Sequence, residues 1–193
     1  MTNLLALVAI IFWPVIPLFW MPVHFATAFF RKLGFLTYIV PVILWLPVAY
    51  VIYRNRFFLL QYRMELPVVL RIAGIVFLIF GSLIHIWTAR LLGLAGIIGV
   101  PEISTKIHEK LVTGGPFSIT RHPTYLAHTL IFSGVFLITG VVTVGILTFV
   151  DLIVVNLIII TLEEKELLTR FGDEYKLYKE RVPSRFFPWF HPG

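Results

Sequence analysis

Most of the residues that could do chemistry fall in two short polar clusters of an otherwise apolar chain. The first cluster is Arg121-His122-Pro123, which follows a Gly114-Gly115-Pro116 turn. Pro123 fits the first turn of a helix, where its missing N–H would be unpaired anyway. Arg121 and His122 would then lie at a helix N-terminus, which favours an anionic ligand. Structural roles are equally open, because Arg121 could reach lipid headgroups and His122 could hydrogen bond within the fold.

The second cluster is the carboxylate pair Glu163-Glu164, at the start of a segment with a helical apolar stripe. The spacing that predicts the stripe is four, four, three and four residues, through Leu167, Phe171, Tyr175, Tyr178 and Val182. Since Leu167 and Leu168 follow the two carboxylates by four residues, at least one carboxylate should face protein. An inward carboxylate could hold a cationic cofactor, or it could simply favour the first turn of the helix. Glu166 is predicted to be solvated.

The elements that position these clusters are predicted to be membrane helices. The chain has 193 residues, 59% hydrophobic content and a mean hydropathy of +0.92, whereas soluble domains are about half apolar and a quarter charged. The predicted fold is an all-α polytopic membrane protein with about five transmembrane helices and a C-terminal amphipathic helix, in a single domain over 1–193. The spans are expected at about 3–30, 34–53, 68–89, 125–139 and 141–162.

The predicted topology brings the two clusters together. The apolar stretch from Tyr125 to Leu162 is about twice the ~20 residues that one crossing needs, and Thr139-Gly140 offers a turn near its middle. Spans four and five should therefore form a hairpin that returns the chain to the side it left. The expected site combines the segments 105–125 and 163–190.

The charge pattern indicates partners and orientation. The net charge is +6, but the basic residues lie at the ends of apolar segments, where they meet lipid headgroups; membrane lipids rather than nucleic acid are the expected partners. Most of them fall on the side of the two clusters, so the positive-inside rule predicts a cell-membrane protein whose site faces the cytoplasm. No metal site is predicted, because the chain lacks cysteine and its histidines are scattered.

Two polar residues lie inside the predicted fifth span. Asp151 and Asn156 are costly at membrane depth, and such groups tend either to be functional or to join helices. Asn156 precedes Glu163 by seven residues and could line the same helix face.

Several motifs resemble the isoprenylcysteine carboxyl methyltransferase family over about residues 105 to 190. The motifs are Leu111–Gly115, Arg121–Tyr125, Glu163-Glu164, Phe171–Tyr175 with Tyr178, and Val182-Pro183. The resemblance implies an integral membrane enzyme that binds S-adenosylmethionine without a Rossmann domain. Its acceptor would be a lipid-modified, prenylated substrate that reaches the methyl group sideways from the bilayer. Methyl transfer to a carboxylate needs positioning and water exclusion more than a general base.

The resemblance also implies roles for individual residues. Those implied to bind the cofactor are Leu111, Val112, Gly115, Phe117, His122, Pro123, Thr124, Tyr125 and Glu163. Those implied to be catalytic are Arg121, Glu163 and Glu164. Phe117 would pack near the adenine, and Glu163 matches the family acid that holds the cofactor. Ile159 stands where eukaryotic members carry an arginine implicated in holding the substrate carboxylate, so the resemblance defines the cofactor more closely than the substrate.

Three alternatives to a carboxyl methyltransferase follow from the same residues. Phospholipid N-methyltransferases share the cofactor but methylate an amine. Membrane sterol reductases, which use NADPH, share an Arg-x-Pro-x-Tyr-type element and a tail similar to Val182–Pro188. A membrane scaffold that uses Arg121 only as an anchor would need the shared spacing to be accidental.

Overall fold

A computed structural model describes residues 2–100 and 110–188 of the chain. The described part is all-α, as predicted, and its one β contact is an isolated antiparallel bridge between Arg63 and Val141. Residues 105–109, 189 and 190 of the predicted cofactor segments lie outside the described residues. The helices, in chain order, are α1 (Thr2–Phe12), α2 (Val15–Phe25), α3 (Thr27–Leu33), α4 (Ile39–Arg54), α5 (Arg56–Gln61), α6 (Val68–Ile97), α7 (Pro123–Thr139), α8 (Val142–Val154), α9 (Ile160–Phe171) and α10 (Asp173–Arg181).

Four helical segments of the described chain are long and apolar enough to cross a membrane, and a fifth apolar helix is shorter. The four are Thr2–Phe25, Thr27–Arg54, Val68–Leu94 and Val142–Phe171, and the shorter one is Pro123–Thr139. Their order is that of the five predicted spans, although the second segment begins at Thr27 rather than near residue 34. These lengths and compositions identify an integral membrane protein.

The first span is broken at one of its prolines. α1 ends at Phe12, and α2 begins at Val15 after Pro14, which has no N–H to continue the helix ladder. Residues around the break form hydrogen bonds with other helices. The indole of Trp45 in α4 donates to the carbonyl oxygen of Ile11 at 2.8 Å. Trp13, which lies in the break itself, points its indole towards α8.

The hairpin of α7 and α8 turns at Gly140, as predicted, and the opposite end of the hairpin carries the two polar clusters. The connection between α5 and α6 lies against the turn: the backbone N–H of Met64 donates to the Gly140 carbonyl at 2.8 Å. Thr143 donates its hydroxyl to the Leu59 carbonyl at 2.6 Å. These contacts hold the α5–α6 connection against the turn, at the end of the hairpin opposite the two polar clusters.

α7 packs closely along α6, and glycines make the close approach possible. A Cβ at Gly74 would lie 2.9 Å from the Gly134 carbonyl oxygen, and a Cβ at Gly134 would lie 2.7 Å from the Gly74 carbonyl oxygen. Small residues allow such backbone contact between membrane helices, whose association relies on van der Waals packing. The packing fixes the start of α7 relative to α6.

The tail continues the helix of α8. A π-helical segment, Val155–Ile159, joins α8 to α9, and the continuous helix from Val142 to Phe171 has 30 residues. At 1.5 Å per residue it is about 45 Å long, which exceeds a hydrocarbon core of about 30 Å by about a third of the helix length. α9 ends at Phe171, and Gly172 separates it from α10.

The predicted apolar stripe of the tail is confirmed. Tyr175, Tyr178 and Val182 form one buried cluster, with Leu111 and Leu167 packed against it. The tail helices thereby cover the segment that precedes α7.

Candidate active site

The starts of α7 and α9 meet, which confirms that the two polar clusters are neighbours. Arg121 donates from Nε to Oε1 of Glu164 at 2.9 Å, and its terminal nitrogen Nη2 lies 2.8 Å from the same oxygen. Lys179 and Arg185 approach the other oxygen of Glu164 at 3.5 and 3.9 Å. The N-terminus of α7, expected to favour an anionic ligand, instead faces this carboxylate of the same chain.

Arg121 also fastens the tail to the start of α7. Its Nη1 donates to the carbonyl oxygens of Val182 and Pro183, both at 2.8 Å, and its backbone N–H donates to the Ser184 carbonyl at 2.9 Å. The Thr120 hydroxyl donates to the Phe186 carbonyl at 2.9 Å. The guanidinium is therefore committed to protein partners on several sides.

His122 lies between the two carboxylates of the second cluster. Its Nε2 lies 3.4 Å from Oε1 of Glu164, and its Nδ1 lies 3.6 Å from Oε2 of Glu163. The imidazole is buried, with 3% of its residue surface exposed, whereas the Glu163 side chain is 24% exposed. Of the two neighbouring acids, Glu164 is held by cations and Glu163 retains access to solvent.

The prediction that Glu166 is solvated is wrong. Its side chain is 8% exposed and forms ion pairs at 3.3 Å with Arg31 and with Arg170. Arg31 lies in α3, outside the tail helix, so the helical periodicity of the tail could not reveal this partner. The Arg31–Glu166 pair joins α3 to α9 at the same end of the spans as the two polar clusters.

A cavity of about 470 Å³ opens beside His122 and Glu163. This volume lies within the range of small-molecule binding sites. The predicted cofactor residues that line it are Leu111, Val112, Phe117, His122, Thr124, Tyr125 and Glu163. Arg121, from the predicted catalytic set, also lines it, whereas Glu164 does not. Sequence motifs from both sides of the hairpin thus converge on one cavity.

Gly115 and Pro123 do not line the cavity, and the structure shows other roles for both. Gly115 has a φ of 60°, and a Cβ there would lie 2.8 Å from Leu91 and 3.1 Å from the Trp87 indole. The position therefore holds the loop against α6. Pro123 is fully buried at the start of α7.

Polar atoms at this end of the cavity fit a cationic, hydroxylated ligand such as S-adenosylmethionine. Glu163 Oε2 and the Tyr175 hydroxyl are buried and have no hydrogen-bond partner among the described residues. Burial raises the pKa of Tyr175, which keeps its hydroxyl neutral and able to donate. Burial also raises the pKa of Tyr178, whose hydroxyl donates to the Phe117 carbonyl at 2.7 Å. Unpaired buried polar atoms are costly unless a ligand completes their hydrogen bonding.

The cavity extends from the two polar clusters into the space between the apolar spans. The sequence did not predict this extension. Its lining follows α7 from Thr124 through His128 to Phe132, which is eight residue steps or about 12 Å along the helix. The opposite wall consists of residues from the broken first span: Phe12, Val15, Ile16 and Trp20. α6 adds His85. The prolines in the first span are the sequence feature that could have indicated an opening there. Nothing in the sequence shows that this part of the first span lies opposite α7.

The remaining sequence candidates lie away from the cavity surface. Ile159 is fully buried in a core cluster with Tyr125 and Phe186. Asn156 donates its amide to the Leu152 carbonyl on its own helix at 2.9 Å. Asp151 is 2% exposed and joins α8 to the first span, because the Trp13 indole donates to its Oδ1 at 3.0 Å.

A helical membrane domain with a carboxylate-lined cavity at one end of its spans agrees with the class that the motifs resemble, the membrane methyltransferases. The family model described as phospholipid methyltransferase matches residues 69–174, more than half of the chain. The chain belongs to this family, which confirms the predicted class of enzyme.

A curated relative supports the same class. The chain is 39% identical over 74 residues to methanethiol S-methyltransferase 1 of Bradyrhizobium diazoefficiens. The aligned segment covers 38% of this chain and 24% of that relative, so the match spans about a quarter of the relative's length. No solved structure matches the chain.

Proposed function

We propose that the protein transfers a methyl group from S-adenosylmethionine to an acceptor that enters from the bilayer. The observation that carries this proposal is the continuous cavity, which joins Glu163 and His122 at the ends of the spans to the apolar walls between them. A donor at the polar end and a lipid-soluble acceptor at the apolar end would meet inside the protein. The proposal puts the polar end at the cytoplasm, where the cofactor is available, and the distribution of basic residues supports this orientation.

The residues around the polar end are those we propose to hold the cofactor. Glu163 offers a cationic group a carboxylate oxygen that has no hydrogen-bond partner among the described residues, and Tyr175 offers a neutral hydroxyl. Leu111, Val112 and Phe117 supply backbone and apolar surface beside them. When bound, the cofactor supplies an electrophilic methyl group on a sulfonium, and the surrounding protein contributes position and exclusion of water.

For Arg121 and Glu164 we propose a positioning role in place of direct catalysis. The guanidinium is engaged by Glu164 and by the tail carbonyls of Val182 and Pro183, and Glu164 is absent from the cavity lining. The pair holds α7, α9 and the tail together, which orients His122 between the two carboxylates.

The isoprenylcysteine carboxylate remains one candidate acceptor, because the motif resemblance covers both halves of the site. The basic side chains among the described lining residues, Lys110, Arg121 and Arg170, belong to the polar end, and Ile159 is buried in the core. A carboxylate would therefore have to react close to the polar end. A thiol is the second candidate, favoured by the similarity to a methanethiol S-methyltransferase.

Calorimetry on the detergent-purified protein tests the cofactor. S-adenosylhomocysteine, the product of methyl donation, should bind with a stoichiometry of about one per chain, and NADPH should not. Binding of NADPH without S-adenosylhomocysteine would overturn the proposal and favour a reductase.

Labelled S-adenosylmethionine tests the acceptor. The protein in vesicles would be presented separately with a prenylcysteine analogue, phosphatidylethanolamine and a short alkyl thiol, and the methylated product would be extracted and identified. Label transfer to any of the three supports methyl transfer. Cofactor binding without transfer to a lipid-soluble acceptor would contradict it.

A further inference from the structure

A cluster of polar side chains lies at membrane depth in the apolar part of the cavity. His128 on α7 and His85 on α6 both line the cavity, and Asp151 on α8 lies behind His128. His128 is six residues after His122, or about 9 Å further along the helix. Ionisable residues inside a membrane are costly, and so they mark functional sites by default.

The geometry of the cluster is that of an imidazole oriented by a carboxylate. Asp151 accepts the Trp13 indole proton on Oδ1 at 3.0 Å, which directs its Oδ2 towards His128 Nε2 at 3.6 Å. Both of these facing atoms are buried without a hydrogen-bond partner among the described residues. A distance of 3.6 Å exceeds a hydrogen bond, and catalytic contacts of this kind often shorten only when a substrate is bound.

This arrangement leaves one nitrogen of His128 for a ligand. If Nε2 carries a proton and donates it to Asp151, Nδ1 has a lone pair and can act as a base, and a positive charge on the ring is stabilised by the carboxylate. The same division of roles, in which one ring nitrogen is oriented and the other takes a proton, occurs in hydrolase triads.

The apolar walls around His128 favour an acceptor that enters without a charge. Phe12, Val15, Ile16 and Phe132 form the apolar walls of this part of the cavity. A carboxylate would lose hydration there without a cationic side chain among these walls, and an ammonium would find only Asp151, which lies behind His128 and outside the lining. A thiol enters neutral and becomes a good nucleophile only as its proton leaves.

We propose that His128 is the general base for a thiol acceptor and that Asp151 positions it, an inference that rests on the proposed methyl transfer. The S–H bond of the acceptor breaks, and its proton passes to His128 Nδ1. The electron pair of that bond forms the new S–CH₃ bond, and the electron pair of the broken methyl–sulfonium bond remains on the donor's sulfur. The products are a thioether, the neutral demethylated cofactor and a protonated His128 paired with Asp151.

The described charged and titratable groups that face His128 come from two neighbouring helices. They are the Asp151 carboxylate on α8, whose Oδ2 lies 3.6 Å from His128 Nε2, and the His85 imidazole on α6. The Trp13 indole from the first span is uncharged.

The test measures S-methylation of a short alkyl thiol by wild type, His128→Asn and Asp151→Asn. General bases contribute roughly 10²–10⁴-fold, so His128→Asn should lower kcat by about 100-fold or more, and Asp151→Asn by less. Affinity for S-adenosylhomocysteine should stay unchanged in both, which shows that the variants fold. At high pH, where the thiol is already ionised in solution, the difference in kcat between wild type and each variant should shrink.

The control is Thr129→Val, which lies beside His128 on α7 but outside the cavity lining. Its kcat should equal that of wild type.

A second measurement needs no cofactor. Thiolate absorbs in the far ultraviolet, so adding the alkyl thiol to the cofactor-free protein at neutral pH should produce a thiolate difference spectrum in wild type that is lost in His128→Asn. Equal thiolate in both proteins, or an equal kcat, would overturn the role of His128. Failure of wild type to bind S-adenosylhomocysteine would instead overturn the proposed function, and binding with methylation only of the carboxylate or amine would overturn the thiol inference alone.

If His128→Asn does not fold, Trp13→Phe provides the same test without changing a charge. It removes the donor that orients Asp151, so it should lower kcat for the thiol severalfold while the affinity for S-adenosylhomocysteine stays the same. An unchanged kcat would contradict the orienting role of Asp151.

Discussion

The two ends of the cavity differ in how their charges are satisfied. At the polar end, Glu164 is surrounded by Arg121, His122, Lys179 and Arg185. At membrane depth, the facing atoms of His128 and Asp151 lie 3.6 Å apart and have no hydrogen-bond partner among the described residues. A saturated network stabilises the shape of a site, whereas unsatisfied groups beside a cavity are available to a ligand.

The same contrast divides the neighbouring residues Glu163 and Glu164. Glu164 is held by its cations, whereas Glu163 lines the cavity and has one oxygen without a hydrogen-bond partner among the described residues. Adjacent acids on one helix therefore have different roles, one in holding the helices together and the other in facing the ligand. Substitutions that separate these roles test the account.

The largest effect is expected from Arg121→Ala, which removes the main partner of Glu164. Breaking a buried ion pair leaves an uncompensated charge and costs about 3–5 kcal/mol, and the tail carbonyls lose their donor as well. Thermal unfolding in detergent should show a large decrease in stability. Arg31→Ala is the control, because the Arg31 side chain is 36% exposed and surface pairs contribute about 0–1 kcal/mol. Equal losses in the two variants would contradict the role assigned to Arg121.

Glu163→Gln should weaken cofactor binding while leaving the fold intact. Hydrogen bonds to a charged group contribute about 1.5–3 kcal/mol, or roughly tenfold to a hundredfold in affinity. Calorimetry with S-adenosylhomocysteine measures this directly. The matched control is Glu166→Gln, three residues later on α9, whose carboxylate pairs with Arg31 and Arg170 and does not line the cavity. If both variants bind equally weakly, Glu163 is not a specific contact.

Gly115→Ala should reduce stability by about 1–3 kcal/mol through overpacking and a strained φ. The new Cβ would meet Leu91 at 2.8 Å on a backbone with a φ of 60°. Gly114→Ala is its neighbour and control, because Gly114 has a φ of −97° and a Cβ there would have no atom within 4 Å. Chemical denaturation of the two variants should separate them, and equal stability would show that the loop does not pack on α6 in this way.

The smallest difference in stability is expected between Trp13→Phe and Trp45→Phe. Each loses one indole hydrogen bond, to Asp151 and to the Ile11 carbonyl respectively. The bond to the carbonyl is worth about 1 kcal/mol and the bond to the carboxylate about 1.5–3 kcal/mol, so Trp13→Phe should unfold at a slightly lower temperature. Only Trp13→Phe should slow methyl transfer to a thiol. A similar slowing in Trp45→Phe would assign the effect to general loosening of the first span.

The sequence predicts the polar end of the site far better than the deep end. Arg121, His122, Glu163 and Glu164 stand in two contiguous motifs, and the hairpin topology alone brings them together. The stripe from Leu167 to Val182 also follows from helical periodicity. The motifs and the stripe depend on residues that are close together in the sequence, and the meeting of the two motifs depends only on the hairpin between them.

The deep end depends on how separate spans rotate and pack, which local patterns do not determine. His85, His128 and Asp151 come from three helices, and each looks isolated in the sequence. The burial of Glu166 likewise depends on Arg31, which belongs to another segment of the chain. Lipid-facing and protein-facing sides of an apolar helix have similar compositions, so hydropathy cannot tell which side faces a partner.

A structure of the protein bound to S-adenosylhomocysteine tests the central claim most directly. The ligand is expected in the cavity beside Glu163, His122 and Val112, with its sulfur directed towards the apolar walls formed by Phe12 and Phe132. Ligand density elsewhere, or a sulfur directed away from the bilayer part of the cavity, would contradict the account.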